Sequence, residues 1–76
     1  MGHAIQAALL KARRLKLMPR WEHLRINPAS LESVARTVGV SKPTLWRWEE
    51  CKGKNPPPVP MIEAWNKALI ELEEAP

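Results

Sequence analysis

The 76-residue sequence predicts an all-α protein: one compact bundle of four to five short helices, two of them joined by a tight turn. Three observations predict it. Apolar residues near both ends recur three and four apart, the repeat of a helix face. The middle of the chain carries serine, glycine and serine where two consecutive helices would start, stop and start again. The prolines fall where helices begin or are joined, not inside them. At this length a core is barely self-sufficient, and one cysteine allows no internal disulfide, so helix packing or a partner chain must hold the fold.

A first helix is expected over about 3–17. Alanine and leucine dominate it, and Ile5, Leu9 with Ala8, Ala12 and Leu15 or Lys16 make an apolar stripe expected to face the core. Lys11, Arg13, Arg14 and Lys16 crowd its second half. They read either as a solvated basic face that suits a helix C-terminus or as a grip on phosphates.

Residues 18–29 form an irregular or short helical insert bracketed by Pro19 and Pro28. Pro19 suits the start of a helical turn, with Trp21 and Leu24 docking on the core and Ile26 near its end. Pro28 disfavours helix at Asn27, so the turn should stop there. Arg20, His23 and Arg25 are left pointing outward. The segment reads as a lid that enlarges a small core, or as a contact to a nucleic-acid backbone or partner.

Residues 30–52 hold the paired helices. Ser30 caps the first, in which Val34, Ala35 and Val38 share a face. Gly39 supplies the left-handed residue that ends it, and Val40 plugs the corner. Ser41 caps the second, with Lys42 first and Pro43 still in the opening turn, where a missing N–H costs nothing. Leu45 and Trp48 turn inward. Trp46, two residues from Trp48, cannot share that face; it is left exposed or packs on the 18–29 insert.

A basic loop with Lys52 and Lys54 opens the proline-rich connection 53–60, where Pro56, Pro57, Pro58 and Pro60 enforce a stiff, extended spacer. A last helix follows over 61–73. Ile62, Trp65, Leu69 and Leu72 form a narrow seam that closes the core, while Met61, Ala68 and Ile70 leave room for a homodimer contact. Glu71, Glu73 and Glu74 oppose the helix dipole, so this end is expected to fray.

The stretch from Ser30 to Glu50 resembles the Cro and phage-repressor (XRE-like) type of helix-turn-helix, whose units often read T-Q-x-x-L-A-x-x-L-G-V-S-x-x-T-I-S-R-W-E-x-G. Ala35 and Gly39 match the close crossing and the turn. Val34, Val38, Val40, Leu45 and Trp48 match the buried positions, and Arg47-Trp48-Glu49 matches R-W-E. Two departures stand out: Leu31 replaces the opening glutamine, and Cys51 replaces the glycine after R-W-E-x. The resemblance implies a lambda-repressor-like fold and a sequence-specific double-stranded DNA-binding protein, a small phage or prokaryotic transcriptional regulator acting as a dimer. Helix 42–51 would enter the major groove. Lys42, Pro43, Thr44, Trp46 and Arg47 are then the base-reading candidates, and Ser30, Ser41, Lys52, Lys54, Arg20 and Arg25 the phosphate candidates.

The charge distribution agrees with an anionic partner. Residues 1–60 hold eleven Lys/Arg against four Glu, residues 61–76 one Lys against four Glu. With no Asp or Tyr, two distant histidines and hydroxyls that already serve as caps, no enzyme, cofactor or metal site is expected. Without an 18-residue apolar run or a signal-peptide core, a soluble cytoplasmic, nucleoid-associated protein is expected, in the host cell if phage-encoded. Two alternatives remain. T-L-W-R-W, P-P-P-V and I-E-A-W also resemble AlpA-like and excisionase-type proteins, though only Pro60 and Met61 remain for their β-wing. Or the motif serves as a module that binds another protein, such as RNA polymerase.

Overall fold

The computed structural model describes the backbone of residues 2–53 and 55–75, and the side chains of these from Ile5 onward. The chain is all-α, with α1 at Gly2–Leu17, α2 at Leu31–Val38, α3 at Lys42–Glu49 and α4 at Val59–Glu74, plus a 3-10 turn at Met18–Trp21. Among the described residues there is no strand, and Pro56–Pro58 leads directly into α4. α1 packs against α3 and α4, and α2 packs against the same two helices. Trp65, Leu45, Leu69 and Val34 are the largest fully enclosed side chains of the resulting core.

α2 and α3 form as their sequence dictates. The Ser30 hydroxyl accepts the Ser33 N–H at 3.1 Å, satisfying one of the orphan donors of α2's first turn. Gly39, at φ 95°, sends its N–H to Ala35 O at 2.9 Å, and the Val40 N–H reaches the same carbonyl. A side chain would meet nothing at Gly39, so the backbone angle alone requires glycine there. Ser41 caps α3 by accepting the Thr44 N–H at 3.3 Å. Leu45 is buried, and Trp48 is half-buried against the core.

α1 turns the other way from the expected orientation. Ala7, Leu10, Arg14 and Leu17 face the core, whereas Ile5 is 59 %, Leu9 60 % and Leu15 48 % exposed, and Ala8 and Ala12 lie out with them. The reason is Arg14. A charged residue on the 7–10–14–17 face makes that face look polar, yet a carboxylate waits inside to receive it.

The 18–29 insert also departs from expectation. Trp21 packs on the core, but Leu24 is exposed and Ile26 is 71 % exposed, because the helical turn ends after four residues. Asn27 holds the remainder together. Its side-chain amide donates to Met18 O at 2.9 Å, its Oδ1 accepts the Ala29 N–H, and its carbonyl accepts the Ser30 N–H. This clamp delivers Ala29, fully buried, to the start of α2.

α4 buries Ile62, Trp65, Ala68 and Leu69, with Leu72 and Met61 half-buried against the core. Of the three residues expected to widen its outer surface, only Ile70 stays outside, between the exposed Glu63, Lys67, Glu71 and Glu74. Its last turn, expected to fray, is tied down. The Arg20 guanidinium donates to Leu72 O at 3.2 Å and Ala75 O at 2.7 Å, a cation placed where the helix dipole favours it. Arg13 pairs with Glu73 at 2.7 Å and 3.0 Å. The Trp65 indole N–H is buried without a partner, a cost the ring's burial must exceed.

Candidate nucleic-acid interface

α3 is fixed to the bundle by a buried ion pair. Arg14 Nε donates to Glu49 Oε2 at 2.6 Å and its NH2 to Oε1 at 2.9 Å, the two-pronged geometry that suits guanidinium and carboxylate. The remaining terminal nitrogen donates to Ala29 O at 3.2 Å and touches the Met18 sulfur. One guanidinium thus joins α1, the insert and α3. A lone buried charge would be prohibitive; here each of the three guanidinium nitrogens donates to a partner within the core.

With its inner face held in this way, α3 presents Lys42, Pro43, Trp46 and Arg47 outward. Trp46 is 44 % exposed, and the Lys52 ammonium sits 5.4 Å from its ring centre. Thr44 is half-buried, its hydroxyl 2.8 Å from that of Ser41, so both hydroxyls are engaged with each other at the α3 cap. Beyond α3 the chain closes with Cys51 at φ 56° and the Lys52 N–H on Arg47 O at 2.8 Å. This tight return brings Lys52, Gly53 and Asn55 beside Thr44, Arg47 and Trp48 to line a shallow cleft.

Electrostatically the face is cationic. Lys42, Arg47 and Lys52 are exposed and form no ion pair among the described residues. The neighbouring carboxylate, Glu50, is occupied by Lys11, whose hydrogen bond holds its pKa below the usual carboxylate range, with Lys52 adding to the effect.

The other candidates lie elsewhere. Ser30 spends its N–H on Asn27 O and its hydroxyl on Ser33. Arg20 stacks 4.8 Å from the Trp21 ring centre and closes the end of α4. Arg25 is exposed on the insert, and Lys54 lies outside the described residues. Sequence reasoning missed Arg14 and Glu49, the residues that set α3's position. The glutamate of R-W-E was the available signal, since Glu49 lies four residues after the inward-facing Leu45 and so on the same side of the helix.

Among the described residues no three His, Cys, Asp or Glu side chains gather as a metal site would require, and no helix is long and apolar enough to cross a membrane. No protein-family model, curated protein or solved structure matches the chain.

Proposed function

We propose that this chain is a sequence-specific double-stranded DNA-binding protein of helix-turn-helix type, a small regulator that lays α3 in the major groove. The observation that carries the reading is the exposed face of α3. It is held from behind by Arg14 and Glu49 and flanked by cations that form no ion pair among the described residues. The N-terminal half of α3 meets base edges. Lys42, at the start of the helix, and Arg47, one turn further on, donate to guanine O6 and N7, while Lys52 neutralises a phosphate. Pro43 and the Trp46 ring offer apolar surface to the groove wall.

The test is a shift assay on duplexes enriched from a random pool. Arg47→Ala is expected to cost about 1–3 kcal/mol and to relax preference at one position, as loss of a base contact does. Lys52→Ala should weaken all sequences alike and flatten the salt dependence by roughly one unit. Unchanged affinity in Arg47→Ala would refute the docking.

The protein-binding alternative draws on one observation, the exposed Trp46, since aromatic side chains dominate protein interfaces. A chain that ignores duplex DNA at low salt would favour it.

A further inference from the structure

The apolar stripe on the outside of α1 is left uncovered among the described residues and has no part in the DNA reading. Ile5, Ala8, Leu9, Ala12 and Leu15 lie along the side of α1 opposite Leu10 and Arg14, and all five are exposed. A helix apolar on both faces is ordinarily covered on both. We propose that this stripe is the contact for a second copy of the chain, with the two α1 helices antiparallel.

The spacing argues for a like helix. Residues 5, 8, 12 and 15 follow the three-four-three repeat of a helix-pairing seam. A two-fold axis at the level of Leu10 sets Ile5 beside Leu15 of the second copy, and Ala8 beside its Ala12. Large residues then flank a centre of alanines, which lets the axes approach to about 8 Å, the close end of the usual range.

The charges argue for the same occupant. A chain of net charge +4 repels itself unless the contact is locally neutral. On one side of the stripe Lys11 is paired with Glu50, and on the other Arg13 is paired with Glu73. Lys16 lies at the end of the stripe. The antiparallel arrangement separates the two copies of Lys16 by roughly 18 Å along the axis, at 1.5 Å rise per residue, beyond the screening length at physiological salt. The outward side of α4 offers nothing comparable, since Ile70 stands there among charged residues.

The size of the stripe sets the strength. Five exposed side chains make a patch well short of the roughly 800 Å² that each partner gives to a standard interface, so the dimer is weak and reversible.

Sedimentation equilibrium of the full chain without DNA, over roughly 1 µM to 1 mM, should show the mass rising from one chain toward two. Leu9→Glu should stay monomeric throughout while keeping its helical circular dichroism and melting temperature, because Leu9 is 60 % exposed and lies outside the core cluster. Ala8→Glu and Ala12→Lys should each weaken association, and their mixture should restore it as a heterodimer. A monomer at every concentration would overturn the proposal, as would a dimer unaffected by Leu9→Glu. A mixture with no rescue would overturn the antiparallel register. Binding of the monomer to anionic lipid vesicles, lost in Leu9→Glu, would assign the face to a membrane surface and overturn the second copy as its occupant.

Discussion

α1 and α4 are both 16 residues long, and both carry an apolar stripe at helical spacing, yet only α4 turns its stripe inward. Ile62, Trp65 and Leu69 are buried, while Ile5, Leu9 and Leu15 face out. The difference comes from one residue. α4's competing face is charged and finds no partner inside, so burying the apolar stripe is the only economical choice. α1's competing face holds Arg14, and α3 brings Glu49 to meet it. A matched buried charge, with all three guanidinium nitrogens engaged, can therefore outweigh the apolar pattern of a whole helix in deciding which way it faces.

Breaking the pair should give the largest effect. Glu49→Ala leaves Arg14 charged in the core without its carboxylate and should cost about 3–5 kcal/mol, most of what a domain of this size possesses. Urea denaturation is the measurement. The double variant Arg14→Met with Glu49→Leu should recover most of that loss, since a well-packed apolar pair replaces a buried ion pair at little cost. A double variant as unstable as the single one would mean that Arg14 has a role beyond the pair.

Next comes the contrast between the two stripes themselves. Leu69→Ala should lose about 2–5 kcal/mol, the cost of a buried cavity, whereas Leu9→Ala in dilute solution should change stability by less than about 0.5 kcal/mol. Equal losses at the two sites would contradict the orientation of α1.

A smaller effect, with the opposite sign, is expected at the end of α3. Cys51 holds a left-handed backbone at φ 56° with a side chain attached. Cys51→Gly should raise stability by about 1 kcal/mol through relief of that strain, read as a higher urea midpoint at unchanged slope.

The smallest effect belongs to the exposed pairs flanking α1. The hydrogen bond from Arg13 holds Glu73's carboxyl below its usual range, as Lys11 does for Glu50. A carboxyl depressed in the folded state adds stability above its unfolded pKa, about 4.3, and that stability fades as pH falls through the lower folded value. The melting temperature should hold from neutral pH to about 5 and then decline, less steeply in Glu73→Gln. An identical acid slope in that variant would remove Arg13 and Glu73 from the account.

Much of this arrangement was legible in the sequence because it is local. Ser30, Gly39 and Ser41 act on backbone groups within a few residues of themselves, so α2, the turn and α3 could be placed from the chain alone. The α4 seam was equally plain. What escaped depends on residues far apart: Arg14 and Glu49 lie 35 positions from each other, and Arg20 reaches carbonyls more than 50 positions away. No periodicity carries such pairings, and both arginines read as surface charge until their partners are known. Asn27 is intermediate. Its role beside Pro28 was seen as a stop, but not its clamp on Met18 O, which needs the chain to double back over nine residues. For the candidate interface, the outward position of Lys42, Pro43, Trp46 and Arg47 followed from the inward position of Leu45. The placement of Lys52 over Trp46 did not, because it depends on the left-handed turn at Cys51.

The four tryptophans occupy graded depths, from Trp65 in the centre through the half-buried Trp21 and Trp48 to the exposed Trp46. The chain therefore carries its own optical depth gauge. A water-soluble quencher should reach Trp46 first and Trp65 only when the bundle opens, so the two ends of the fluorescence response separate events on the surface of α3 from loss of the core.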